Sequence, residues 1–580
     1  MPDKNLSCSS DHPRYFTTDN EGNLIQLRDP REDGYFSCCY LKFERKRGSE
    51  MEIETATTCN LISSNVTKIP QDFEFILVKC LTTKNDITSY TLMDIFGLVP
   101  LKPLSNSRFI EPAGRKRVNV VIFGVDSVSH MNFMRNFKSS YAYLVNDLSA
   151  IGMWGYNKNA DNTFPNTLPV LSGLSLKDLK RTGWNVSKFF DDVPFIWKNF
   201  SQEGYRTAFS EDANDVGIFR CEKRGFRDPP TDYYHHPALH AMDKQIGHTA
   251  QEGVANMCYG TRLSFEILLE LMKKMATTMN KNKRYFHFTW ATALTHDELN
   301  YGQFGDHLLL ETLQWFKSGG YLNDTVLILM SDHGMRFGDI RSTLQGKIED
   351  RMPFLYFVLP QWFQETYPDA VKRLRGNKRL LTTHFDLHET LKDLLHLNNI
   401  EKNTLLERQF KLATSRNVPR GISLFLSIPL TRTCDEAGLS SHWCLCRELK
   451  PLILEGNEIV IEGARQAVET LNGIISKNLQ CHKFVFDSVL NAQVHHNSDD
   501  VHWDESEIPR DLNDPRLTKQ KIRYNIDFKV RPSGGTYEAT VTHHTDGSWE
   551  VSEEIDRTSS YGHQSRCMQD EHLKKYCYCG

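Results

Sequence analysis

No run of about 18 or more apolar residues occurs in the 580-residue chain, so no transmembrane helix can be drawn. Nor is there a basic block. With a net charge of -4, the electrostatic footprint of a nucleic-acid binder is missing, as is any charge attraction to an anionic bilayer. Repeats and low-complexity tracts are absent, which removes solenoids and fibrous folds. Met1-Pro2-Asp3-Lys4 opens a polar segment without the apolar stretch of a signal peptide. The C-x-x-C spacing of common zinc knuckles is also missing, since Cys444-Leu445-Cys446 and Cys577-Tyr578-Cys579 are C-x-C. What remains is 39% hydrophobic and 24% charged, a globular composition with room for about two to four domains.

Cysteine, by contrast, is plentiful. Of the 14, only Cys221 and Cys258 fall in the middle of the chain. The others cluster toward the N-terminus (Cys8, Cys38, Cys39, Cys59, Cys80) and the C-terminus (Cys434, Cys444, Cys446, Cys481, Cys567, Cys577, Cys579). Disulfide-stapled flanks suit an oxidising compartment, and N-x-S/T sequons at Asn5, Asn65, Asn185, Asn199 and Asn323 agree. The expected location is therefore the secretory-pathway lumen or the cell exterior, although the polar start stands against it.

The most informative stretch is Leu327-Ile328-Leu329-Met330-Ser331-Asp332-His333-Gly334. A short apolar run reads as a buried strand, and it stops at a carboxylate beside an imidazole, with a glycine to turn on. Upstream, Val118 to Val125 is a longer apolar strand that stops at Asp126 and Ser127. Ligands of open α/β sheets bind at the carboxyl ends of the strands. Two buried strands each delivering a carboxylate, one with a histidine, point to a metal centre. Two carboxylates and an imidazole suit zinc or manganese.

Between these strands lies Asp161-Asn162-Thr163-Phe164-Pro165-Asn166-Thr167-Leu168-Pro169. With it in place, the order Asp126, Thr163, Asp332-His333 resembles the alkaline phosphatase superfamily of metal-dependent phospho- and sulfo-hydrolases. The wording of the first strand, of Asn-Thr-Phe-Pro-Asn and of Ser-Asp-His-Gly-Met resembles the sulfatase-like DUF229 family, most clearly between Arg115 and Leu395. The resemblance implies one divalent ion held by Asp126, Asp332 and His333, with Thr163 as both a further ligand and the nucleophile. A threonine hydroxyl is too weak an acid to attack phosphate unaided, so it needs a base or a cation. The true sulfatases' Cys-x-Pro-x-Arg is replaced here by Thr163-Phe164-Pro165-Asn166-Thr167, without cysteine or arginine, which excludes hydrolysis through an aldehyde hydrate.

A second metal is implied less firmly, because the Asp-x-x-x-His pair of two-metal members has no match. His296, in Thr295-His296-Asp297, resembles the histidine that contacts substrate or protonates the leaving group. His384, Asp297, Arg336 and Arg341 are further candidates for a second metal or for substrate, the arginines as clamps on phosphate oxygens. Glu211 and Asp212 also end a buried run.

Strand-helix alternation predicts an α/β fold: a mostly parallel central sheet with helices on both faces, flanked by an N-terminal β-rich cap and a small C-terminal α+β appendage. The expected boundaries are 1–114, 115–415 and 416–580, with Pro112 to Arg117 as a linker. The activity expected is hydrolysis or transfer of a phosphate ester, on a small molecule, lipid head group or glycan. Sulfate-ester hydrolysis, or a catalytically silent luminal binding domain, are the alternatives.

Overall fold

The structure is a computed structural model, and it describes residues 6, 8, 13–84, 87–104, 116–247, 255–279, 283–446, 448–496, 509–519 and 521–580. The sequon at Asn5 and the linker residues 112–115 lie outside the described residues. The chain forms two compact units. The first comprises Met1–Tyr156, Asn162–Gly334 and Met352–Leu430; the second comprises Asn157–Asp161, Met335–Arg351 and Thr431–Gly580. These divisions differ from the three consecutive segments expected along the chain. The N-terminal sheets share a unit with the core, and the C-terminal unit takes in two short segments from within it.

In the first unit, β1 (Tyr35–Arg45), β2 (Phe75–Lys84) and β3 (Ile87–Gly97) form an antiparallel meander. Its inner face places Phe43, Phe75, Leu77 and Ile95 against Leu239, Met242, Ile267 and Leu271 of two core helices. The disulfide Cys8–Cys258 ties the start of the chain to the core, and Cys38–Cys80 and Cys39–Cys59 staple the meander.

The core sheet is built on β4 (Asn119–Val125), β5 (Arg206–Glu211), β6 (Tyr285–Ala291), β7 (Thr325–Met330) and β8 (Leu355–Val358). Their order across the seven-stranded sheet is β8-β7-β4-β6-β5, with the short strands Ile151–Gly152 and Tyr233–Tyr234 at its two edges. Pairs from β7 through β5 are parallel, while β8 pairs antiparallel with both β7 and Ile151–Gly152. Every residue of β4, β6 and β7 is buried. Both faces are therefore covered, which is why these strands read as continuous apolar runs.

Alternation along β4 assigns the two faces. Val120 and Ile122 pack with Leu168 and Leu171 of α1 (Thr163–Ser172) on one side. Val121, Phe123 and Val125 pack with Leu268 and Met272 of α2 (Ser264–Met279) and with Leu309 and Leu313 of α3 (Gly302–Ser318) on the other. α4 (His384–Leu395) joins the first face through Leu387, Leu391 and Leu394. Gly124 is required by close approach, since a Cβ there would lie 2.0 Å from Cε3 of Trp290 on β6.

The second unit is a five-stranded antiparallel sheet carrying a helix. α5 (Glu458–Ile475) lies on β10 (Ile522–Arg531) and β11 (Thr536–His543), contacting Tyr524, Ile526, Phe528, Ala539 and Val541. β9 (Val485–His496) and β12 (Trp549–Arg557) flank that pair, and Glu448–Pro451 forms the edge beyond β9. Alternate residues face the other way and are polar: Asn525 and Asp527 on β10, Glu538 on β11, Asp556 on β12. Onto these acids fold the cations of the two recruited segments. Arg341 pairs with Glu538 at 3.2 Å and Asp556 at 2.9 Å, Arg351 with Glu538 at 2.5 Å, Lys347 with Asp527 at 2.6 Å, and Lys158 with Asp350 at 2.7 Å. Cys434–Cys444, Cys481–Cys577 and Cys567–Cys579 close the unit, so both C-x-C motifs contribute to disulfides.

Candidate metal centre

The register of the sheet brings the two carboxylates together. β7 pairs in parallel with β4 so that Met330 lies opposite Gly124. Two residues further on, Asp332 and Asp126 leave the same edge of neighbouring strands, which run about 4.8 Å apart. The strand ends are braced by short polar contacts. The Asp126 N–H donates to the Ala291 carbonyl at 2.9 Å, and the Thr295 hydroxyl donates to the Asp126 carbonyl at 2.7 Å. Ser331 Oγ accepts the Val128 N–H at 3.0 Å and donates to the His333 carbonyl at 2.9 Å. Ser127 holds a left-handed backbone (φ 61°), strain of the kind that gathers at functional sites.

Ligand atoms of Asp126, Asp332 and His333 lie within 4.8 Å of one another, and all three residues are buried. His333 Nε2 is 3.0 Å from Asp332 Oδ2 and 3.8 Å from Asp126 Oδ1. His333 Nδ1 is 2.8 Å from the Gly334 carbonyl. A carbonyl only accepts, so Nδ1 carries a proton, and Nε2 is the ring atom turned toward the carboxylates, the one that could ligate an ion. Asp332 Oδ2 and His333 Nε2 are buried without a hydrogen-bond partner. Acceptor atoms converging in a dry site are costly unless a cation joins them. The donor set fits a divalent ion.

Electrostatics mark the same point. Burial raises the Asp126 carboxyl above its usual range, and the Asp332 charge beside it adds to the shift. Burial also works against Asp332, but the charge of His333 and hydrogen bonds from Thr163 and the Ser127 N–H outweigh it and hold Asp332 low.

Thr163 opens α1. Asn162 precedes it in extended conformation as the N-cap, and the Thr167 hydroxyl bonds back to the Thr163 carbonyl at 2.9 Å. The Thr163 hydroxyl donates to Asp126 Oδ2 at 3.1 Å and lies within hydrogen-bonding reach of Asp332. Unlike the three buried groups, Thr163 is partly exposed.

His296 lies in the loop after β6, where its Nδ1 is 3.0 Å from Asp297 Oδ1, and its charge bears on Asp126. Asp297 is thus the partner of His296. His384 is fully buried at the start of α4, its ring against the backbone of Ser331 and Asp332 and against Tyr156 at 4.7 Å between centroids. Burial lowers its pKa to about 3, so the ring is neutral.

The two arginines require correction as rim clamps. Arg336 pairs with Asp161 at 3.2 Å within the second unit, and Asp161 is also held by Lys575 at 2.7 Å. Arg341 is 2% exposed, its fork committed to Glu538 and Asp556. Opposite charges that lie far off in sequence decide both. Asp212, named above at the end of a buried run, accepts the Thr292 and Ala293 N–H groups at 2.6 and 3.2 Å and the Ser264 hydroxyl at 2.8 Å. It anchors the loop that carries His296. Its place at the end of a buried run was the available signal.

The sequence matches DUF229, described as a protein family of unknown function, over residues 3–490. The chain belongs to the DUF229 family. No curated protein matches this DUF229 chain. Among solved structures it is similar to the lipoteichoic acid synthase LtaP from Listeria monocytogenes (12% identity over 48% of this chain and 72% of that one, TM-score 0.34). It is also similar to the C-terminal periplasmic domain of EcEptC from Escherichia coli (13%, 51% and 86%, TM-score 0.35). A protein in the alkaline phosphatase superfamily from Vibrio parahaemolyticus matches at 11% identity over 80% and 85%, with TM-score 0.33.

Proposed function

We propose that this DUF229 chain hydrolyses or transfers a phosphate ester through Thr163, with a divalent ion, zinc or manganese, held by Asp126, Asp332, His333 and Thr163. The observation that carries the reading is the hydroxyl of a partly exposed threonine 3.1 Å from Asp126 Oδ2, beside two buried polar atoms without hydrogen-bond partners, Asp332 Oδ2 and His333 Nε2. When bound, such an ion supplies positive charge that makes a hydroxyl more acidic and offsets charge on a non-bridging phosphoryl oxygen.

The chain's own groups account for the rest. Thr163 Oγ1 directs its proton at Asp126, which leaves its lone pairs for the phosphorus of a substrate. An Oγ–P bond forms as the P–O bond to the leaving alcohol breaks. His296, oriented by Asp297, gives that alkoxide its proton, and neutral His296 then draws one from the water or acceptor alcohol that releases the phosphoryl group. The first turn of α1, which Thr163 opens, offers N–H groups that favour an anion.

The substrate class is a phosphate ester on a small molecule, lipid head group or glycan. The six disulfides fit the secretory pathway or the exterior. Among the described residues no helix is long and apolar enough to cross a membrane. The test is a screen of the purified chain against aryl phosphodiesters, phosphomonoesters and sulfates with added zinc or manganese. Phosphate-ester turnover lost in Thr163→Ala is the expected result. Sulfate release alone, or turnover untouched by the substitution, defeats the reading.

A further inference from the structure

We propose that Asn65 carries an N-linked glycan whose first sugars lie over a hollow of mixed polar and apolar lining in the N-terminal sheets. The hollow, of about 490 Å³, is lined in part by Leu27, Phe36, Leu61 and Asn65. Leu27 is 54% exposed, Phe36 55% and Leu61 71%. A single exposed apolar side chain needs no explanation, but three share the lining of this hollow with charged and polar side chains, an amphipathic wall. Asn65 stands at its rim within the sequon Asn65-Val66-Thr67. Its backbone is fixed there. The Asn65 carbonyl accepts the Gln26 N–H at 2.8 Å, and Val66–Thr67 pairs with Leu24 and Ile25 of the next strand. Its side chain is exposed.

The occupant follows from this chemistry. A pyranose ring offers a C–H face that packs on an aromatic or aliphatic wall, and hydroxyls that remain in water or meet polar groups. Arg28, Asp29 and Arg31 supply such groups on the same lining. In the covalent step, Asn65 Nδ2 bonds to the anomeric carbon of a lipid-pyrophosphate-linked oligosaccharide. The C–O bond to the pyrophosphate breaks, its electron pair leaves with the lipid pyrophosphate, and the amide gives up one proton.

The proposal rests on the luminal location, and Asn185 separates the two. Asn185 is exposed, and its Oδ1 accepts the N–H of Ser187 at 3.0 Å and its hydroxyl at 2.5 Å. The full chain is expressed in cultured animal cells, purified, deglycosylated enzymatically in heavy-oxygen water, and mapped by mass spectrometry. Labelled aspartate at both Asn65 and Asn185 is expected. Label at Asn185 without Asn65 overturns the proposal and leaves the location standing; label at no sequon overturns both. The packing is read with an apolar fluorescent dye. Asn65→Gln is expected to raise dye fluorescence, and adding Phe36→Ser to return it toward the parent value, whereas no rise on losing the glycan overturns the placement over the hollow. Phosphate-ester turnover is independent of all these readouts.

Discussion

Thr163 and the acids around it differ in what solvent can reach, and that contrast sets the residue-scale expectations. Thr163→Ala is expected to leave the unfolding temperature close to the parent value, because the side chain is partly exposed, while removing turnover. Thr163→Ser retains a hydroxyl and should keep measurable activity. For Asp332 and His333, binding can be read without catalysis. An ion bound only by the native state stabilises by mass action, so added zinc or manganese should raise the unfolding temperature of the parent protein. The same addition should do little to Asp332→Asn or His333→Ala; an equal rise in these variants would remove them from the site. Gly124 belongs at this scale too. A methyl 2.0 Å from the Trp290 ring has to push two packed strands apart, so Gly124→Ala is expected to destabilise by about 1–3 kcal/mol or more in chemical denaturation.

At the scale of elements, the polar face of the C-terminal sheet is held by charge. Glu538 is fully buried and serves both Arg341 and Arg351. Glu538→Gln leaves two buried guanidinium groups short of a counter-charge, a loss of about 3–5 kcal/mol by analogy with broken buried pairs. Calorimetry of the full chain is expected to show a lowered transition, and an unshifted one would mean the network is not needed for stability. β4 and β7 were legible in the sequence because strands buried on both faces are unbroken apolar runs. α4 starts at a capping box of Thr383 and Asp386, residue types that mark a helix start. β9 was not legible, because register shifts after Phe486 and Val489 break its alternation of inward and outward residues. The partners of Arg341 were equally hidden. Glu538 and Asp556 follow it by 197 and 215 residues, and nothing local distinguishes an arginine awaiting a substrate phosphate from one awaiting a distant carboxylate. The cluster itself was legible as residue types at strand ends, but the register that sets Asp126 opposite Asp332 was not.

For the molecule as a whole, acid is the condition that should unfold it. His236 and His287 are completely buried, and burial lowers each pKa to about 3. In the unfolded chain an imidazole takes its proton near about 6.5. Above that pH both states are neutral and these groups leave stability untouched. Between about 6.5 and 3 the unfolded chain binds protons that the native state refuses, so stability falls by about 1.4 kcal/mol per pH unit for each such histidine. Urea midpoints measured from pH 7.5 to 4 are expected to drop as pH falls, and a flat profile would mean that these rings charge in the native state. The two-unit organisation also explains why boundaries drawn along the chain differ from those in space. Short segments at 157–161 and 335–351 leave the core to join a sheet whose strands come much later.

The Cys8–Cys258 bond encloses much of the first unit in one covalent loop. A protease that cuts the backbone once between these cysteines therefore releases nothing: the two pieces migrate together on a denaturing gel and part only when thiol reductant is added.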